Sequence, residues 1–231
     1  GFLITPVKAS LNIVNHEIPL INDAWYNSLD KINKEASPNA IINSWWDYGH
    51  WFKYIGDRPV TFDGTSQNTP QAHWIGKALL TDKENVTVGI LRMLDCGANT
   101  AFEKVNEKIK DPVHSVGIIN EMIVLDKEGA KKVLEKHNFS EEESKDIIPY
   151  THCEPPEDYF ITSSDMIQKS GVWAHFGCWN FERAQIYNVL HDKDKTESVE
   201  YLKGRFNYTE NDAENIYYQI YSTSLMHSIK Y

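Results

Sequence analysis

NAIINSWWDYGHWFKYIGDRPVTFDGTSQNTPQAHWIGKALL, residues 39–80, alternates short apolar runs with helical spacing. The run at 39–44 follows a Ser-Pro break and is too short for a helix, so it reads as a buried strand. Residues 50–55 then suit a short helix. Residues 59–62 read as a second strand, closed by the turn pair Asp63-Gly64. Thr69-Pro70 opens a helix with proline at its first position, and Ile75, Ala78 and Leu79 continue it at helical spacing.

Helices dominate the residues beyond. Asn99 or Thr100 can cap 101–110, and Val116, Ile119, Met122 and Ile123 mark a helix over 113–125. Ser140 and Glu143 form a capping box before a short helix that ends near Pro149. Pro155-Pro156 marks a loop, 159–163 reads as a third strand, and 166–176 as the helix after it. In the tail, Ile216, Tyr217, Ile220, Tyr221 and Leu225 favour a helix over 210–231. The expected fold is mixed α/β, predominantly α-helical with a small sheet, compact, with a βαβ-like core. Such sheets present functional residues beyond their strand C-termini. Two segments qualify: 45–49 and 164–169.

The chain has 231 residues, enough to bury about 70% of its unfolded surface without a staple. A net charge of −10 argues against nucleic acid or an anionic membrane surface as partner, since both reward excess Lys and Arg. Three cysteines, Cys96, Cys153 and Cys178, are too few for a disulfide framework, although one bridge is possible. His152-Cys153 and His175 with Cys178 lack the spacing of a zinc site. No apolar run reaches the roughly 18 residues needed to span a bilayer, and no signal peptide is visible.

Trp45-Trp46-Asp47-Tyr48-Gly49, directly after the first strand, is the unusual feature. A Ser or Thr hydroxyl has one donor and two acceptor lone pairs. Two indole N–H groups and one carboxylate supply the complement, so the three side chains can saturate one hydroxyl. A buried site of this kind rejects a ligand lacking the hydroxyl, because each stranded polar group costs roughly 1–3 kcal/mol. Paired tryptophans are more often core residues. Here, however, two adjacent residues leaving a strand point in different directions, and Asp47 is a poor core residue.

The pentapeptide WWDYG is the signature of the oligosaccharyltransferase catalytic subunit, and this chain resembles that family's C-terminal domain in its compact archaeal single-subunit form. Residues 45–81 resemble the family's order of motif, helix, short strand, Gly-containing loop and Ile-Gly-Lys helix. ITSSDMIQKSGVWAHFG, 161–177, resembles its second motif, a helix beside the first. The resemblance covers most of residues 15–185. It implies that Trp45, Trp46 and Asp47 bind the hydroxyl of an Asn-Xaa-Ser/Thr acceptor and that Tyr48 and Gly49 shape the turn. The family's second motif has two spacings, and Met166, Lys169 and Trp173 fit neither. Asp165, Met166 and Lys169 would share one helical face that meets the acceptor's Thr methyl group.

The resemblance also implies a single soluble C-terminal domain, 1–231, of a larger membrane enzyme whose N-terminal transmembrane region is absent. Partners would be an acceptor polypeptide and, through that region, a lipid-linked oligosaccharide, with no nucleic acid. A divalent metal, Mn or Mg, is expected in the full-length enzyme and not in this domain, which carries no catalytic residue and is expected to be inactive alone. The domain would face the extracellular side of the cell membrane. Sequons at Asn85, Asn138 and Asn207 suit such a location, although about two are expected by chance.

Two other classes fit less of the sequence. A carbohydrate-binding module would place Trp25, Trp45, Trp46 or Trp74 on an exposed platform. A glycoside hydrolase would need a carboxylate pair, such as Asp47 with Asp63 or Asp95, about 5–10 Å apart.

Overall fold

Ile41–Asn43 forms strand β1 and Asp158–Phe160 forms strand β2 in a computed structural model that describes residues 4–16, 20–67 and 69–228. The two pair in parallel, with Ile41 opposite Asp158 and Asn43 opposite Phe160. A parallel pair needs a long crossover, and here it carries half of the described α-helices. The described fold is the expected one, mainly helical with a small sheet. The chain divides into two units, residues 1–68 with 156–163, and residues 69–155 with 164–231.

In the first unit, α1 (Ile4–His16) and α2 (Asp23–Glu35) precede β1. A single 3-10 turn (Trp46–Tyr48) then leads into α3 (Gly49–Tyr54). Leu29, Ile42 and Phe52 form the core of this unit, walled by Trp25, Trp51, Val60 and Tyr159. Arg58 is buried and donates to the carbonyls of Asn33 at 2.9 Å and Ala36 at 2.7 Å. Its guanidinium thus satisfies carbonyls that the end of α2 leaves open, where the helix dipole favours a cation.

The expected strand at 59–62 is a correction. It meets β1 through one bridge, Ile42 to Val60, with the Ile42 N–H donating to the Pro59 carbonyl at 2.9 Å. Pro59 has no N–H to return. One residue on, the Thr61 hydroxyl bonds the Asn43 side chain. The segment therefore lies along β1 without extending the ladder.

The second unit is helical: α4 (Gln71–Leu80), α5 (Glu84–Gly97), α6 (Thr100–Ile109), α7 (Pro112–Ile123), α8 (Lys127–Lys136) and α9 (Glu141–Ile147). Then follow α10 (Asp165–Gln168), α11 (Ser170–Gly177), α12 (Phe181–Leu190), α13 (Lys195–Phe206) and α14 (Glu210–Ser228). The capping box forms as read, with Glu143 N–H to Ser140 Oγ at 3.1 Å and Ser140 N–H to Glu143 Oε2 at 2.6 Å. Asn99 does not cap α6 with its side chain; its Oδ1 accepts the Trp74 indole N–H at 3.2 Å. The last three residues of the expected tail helix lie outside the described residues. Cys96 at the end of α5 is bridged to Cys153, Cα to Cα 5.7 Å.

Helices α4 and α11 touch backbone to backbone. A Cβ added at Gly76 would lie 2.4 Å from the Trp173 carbonyl oxygen and 2.8 Å from Gly177 N. Gly76→Ala is therefore expected to destabilise the chain by about 2–3 kcal/mol, the upper part of the overpacking range. A lowered urea midpoint at unchanged slope is the measurement.

His73 belongs to the same contact. Its Nδ1 lies 3.0 Å from the Phe176 carbonyl oxygen, and its ring packs edge-on against Phe181. Burial pushes its pKa down to about 4, against an upward pull from the Phe176 carbonyl and with a lesser downward push from the Lys77 charge. An unfolded histidine titrates near 6.5 and so binds protons that the folded one refuses. Stability is present above that pH and lost as pH falls toward 4. From pH 7 to 4.5 the loss at His73 should be about 2 kcal/mol, absent in His73→Phe, as read by denaturation at the two pH values.

Candidate functional site

The site starts where β1 ends. Ser44 Oγ donates to the Ile161 carbonyl at 2.8 Å, tying the end of β1 to the exit of β2. Trp45 follows with extended torsions, φ −67° and ψ 145°, and its side chain turns inward. It is 2% exposed and meets Phe62 edge-on, ring centroids 5.3 Å apart. Trp46, Asp47 and Tyr48 make the 3-10 turn and are all only partly buried. The two tryptophans thus differ: the Trp45 ring anchors the turn from beneath, while Trp46 and Asp47 are half-buried, with Asp47 Oδ2 itself out of solvent.

Tyr48 fixes the far side of the turn. Its ring stacks on Trp51 at 4.4 Å and lies 4.9 Å from Trp25 on α2. Gly49 then starts α3 at a point of close approach. A Cβ there would stand 2.5 Å from Asp63 Cβ and 2.8 Å from Asp63 Cα. No residue but glycine lets α3 begin this close to the 62–63 backbone.

Asp63 itself is saturated. Its carboxylate accepts from Lys53 Nζ, from Thr65 N–H at 2.9 Å and from Thr65 Oγ1 at 2.6 Å. Ser66 adds its N–H at 3.2 Å and its hydroxyl at 3.1 Å. Burial alone would raise this carboxyl. The bonds from Lys53, Thr65 and Ser66 more than reverse that and hold it well below the usual carboxylate range.

The second motif lies in the other unit. The single helix expected over 166–176 is two: α10 stops at Lys169, whose φ −93° and ψ 6° leave the helical region. The cause is a competing donor. The Met166 carbonyl is taken by the Lys169 N–H at 3.1 Å and by the Trp173 indole N–H at 2.8 Å. Gly171, two residues on, faces open space and does not make the break. Asp165 and Lys169 pair at 3.0 Å, so these two do meet, while Met166 is buried at 6% exposure.

The competing classes lose their best residues. Trp45 and Trp74 are buried, which removes two of the four rings proposed for a sugar platform. Asp63, held ionised and fully bonded, is unsuited to act as the protonated acid of a glycoside hydrolase. Sequence reading missed Lys53 as the partner of Asp63. The signal was present: Gly49 and Lys53 are four apart and so share one face of α3.

The STT3/PglB/AglB core domain profile matches residues 38–183, a span that holds both motifs and both strands. The chain belongs to this family of oligosaccharyltransferase core domains. The dolichyl-phosphooligosaccharide-protein glycotransferase of Methanocaldococcus jannaschii is 36% identical over 218 residues, 91% of this chain and 23% of that protein. The protein of the same name from Methanococcus voltae is 37% identical over 185 residues, 78% of this chain and 20% of that one. The chain therefore spans about a fifth of the length of these relatives. A solved structure, the C-terminal domain of C. jejuni PglB, aligns with a TM-score of 0.38 and 15% identity, over 66% of this chain and 52% of that one.

Proposed function

We propose that this chain is the acceptor-recognition domain of an oligosaccharyltransferase that transfers a lipid-linked oligosaccharide to Asn in Asn-Xaa-Ser/Thr. The observation that carries the reading is the turn beyond β1: Trp46 and Asp47 stand half-buried on it while Trp45 and Tyr48 hold the turn from beneath and beside. The Asp47 carboxylate accepts the hydroxyl proton of the acceptor's Ser or Thr, and the Trp46 indole N–H donates to a lone pair, while Trp45, buried beneath, supports the turn. An ionised acceptor makes this bond stronger than a neutral one, at roughly 1.5–3 kcal/mol. Tyr48 and Gly49 set the turn. The same family resemblance assigns Asp165, Met166 and Lys169 to acceptor binding.

Binding of this kind positions the acceptor asparagine and does no bond chemistry itself. Catalysis and the divalent metal, Mn or Mg, belong to the membrane region of the enzyme. Among the described residues no three His, Cys, Asp or Glu side chains converge as a metal site. The Cys96–Cys153 bridge supports an extracellular location, where disulfides persist.

An Asn-Xaa-Thr peptide carrying a photo-crosslinker is expected to label the turn at 45–49 several-fold more strongly than its Asn-Xaa-Ala counterpart, a hydroxyl contact being worth about tenfold in affinity. Equal labelling of the two peptides would overturn the reading.

A further inference from the structure

Besides the ring contacts of Trp45 and Tyr48, the acceptor turn is held at its far end by one charged side chain outside the motif. Segment 59–66 runs beside β1 and delivers two residues beneath the turn. Phe62 packs on the anchoring ring of Trp45. Asp63 lies directly under Gly49, so close that its Cβ occupies the space a Gly49 side chain would need. One turn further along α3, Lys53 reaches back to the same carboxylate. Gly49 and Lys53, four residues apart, thus bring one face of α3 down on one aspartate.

The geometry points to Asp63 as a positioning residue for the acceptor turn, acting through Gly49 and Lys53. This deepens the acceptor reading and rests on it. The carboxylate is nearly enclosed, its side chain 3% exposed, while that of Lys53 is 48% exposed. Its other oxygen is held by Thr65 and Ser66, so it has no freedom to follow a shifted helix. Because the 3-10 turn runs straight into Gly49, fixing the start of α3 fixes where Trp46 and Asp47 stand. Asp63 touches neither acceptor nor reacting atoms in this arrangement. It keeps the pocket in its binding shape before the acceptor arrives, and preorganisation of that kind appears in affinity.

The test uses the full-length enzyme with Asp63→Asn, which keeps the shape and removes the charge that Lys53 grips. The expected result is an acceptor-peptide KM raised about tenfold with kcat at saturating peptide close to wild type, since only positioning is lost. A purely structural role would lower the amount of active enzyme, and so the apparent kcat, at unchanged KM. Lys53→Met should raise KM in the same way, and Lys53→Arg should restore it.

Unchanged KM in Asp63→Asn overturns the positioning role. If that variant fails to fold, Lys53→Met, a change in a half-exposed side chain, decides alone by the same criterion. Asp47→Ala measured alongside separates the two ideas. Wild-type kinetics there would sink the acceptor reading, whereas a crippled Asp47→Ala beside a normal Asp63→Asn would sink only the positioning role.

Discussion

Asp47→Ala in the full-length enzyme is expected to lower kcat/KM for an Asn-Xaa-Thr peptide by about 100-fold, the loss of roughly 3 kcal/mol at a charge-assisted hydroxyl bond. The fold should survive, because Asp47 is partly exposed on a turn whose anchors are Trp45 and Tyr48. An unchanged melting temperature for the variant checks that half of the expectation.

The chemistry allows a sharper form of the same experiment. An Asn-Xaa-Ala peptide has no hydroxyl, so Asp47→Ala should cost it almost nothing. The difference between the two losses isolates the Asp47–hydroxyl pair in a double-mutant cycle. Asp47→Asn should retain more activity than Asp47→Ala, since an amide oxygen still accepts a hydrogen bond. A similar loss on both peptides would mean that Asp47 serves the fold and not the acceptor.

Loss of the Cys96–Cys153 bridge is expected to be the largest single change in stability. The loop it closes spans 57 residues, and the chain-entropy relation gives about 4 kcal/mol for a loop of that length. Cys96 ends α5, and Cys153 follows a stretch that Arg92 on the same helix already grips, through the Thr151 carbonyl at 2.8 Å. The native geometry therefore does not depend on the bridge, and the effect should fall on the unfolded chain. Cys96→Ala with Cys153→Ala should match the reduced wild type in urea midpoint, and both should fall well below the oxidised protein. Equal midpoints for reduced and oxidised protein would show that the bridge adds nothing.

Much of this was legible in the residues. Proline placement, the Ser140–Glu143 box and the apolar spacings placed α3, α4, α6, α7, α9 and α14 to within a few residues, because those signals act within one or two turns of chain, whereas α1, α2, α5, α8, α12 and α13 were not read. The turn at 45–49 stood out for a chemical reason: two indole donors and a carboxylate adjacent in sequence match what one hydroxyl needs. The failures share a different origin. Segment 59–62 has strand-like residues, yet Pro59 and a side-chain bond from Thr61 limit it to one bridge. The helix over 166–176 has helical spacing throughout, yet an indole seven residues along captures the Met166 carbonyl and breaks it.

By itself, then, the sequence determined the mainly helical class with a small sheet, and the family. These follow from local spacing and a rare motif. Only the tertiary structure decided that Trp45 is a buried anchor while Trp46 and Asp47 are half-buried, that Asp63 lies under Gly49, and that Cys96 meets Cys153. Periodicity states which face of an element is apolar. What covers that face, and which distant side chain reaches a given carboxylate or sulfur, is set by how the elements pack.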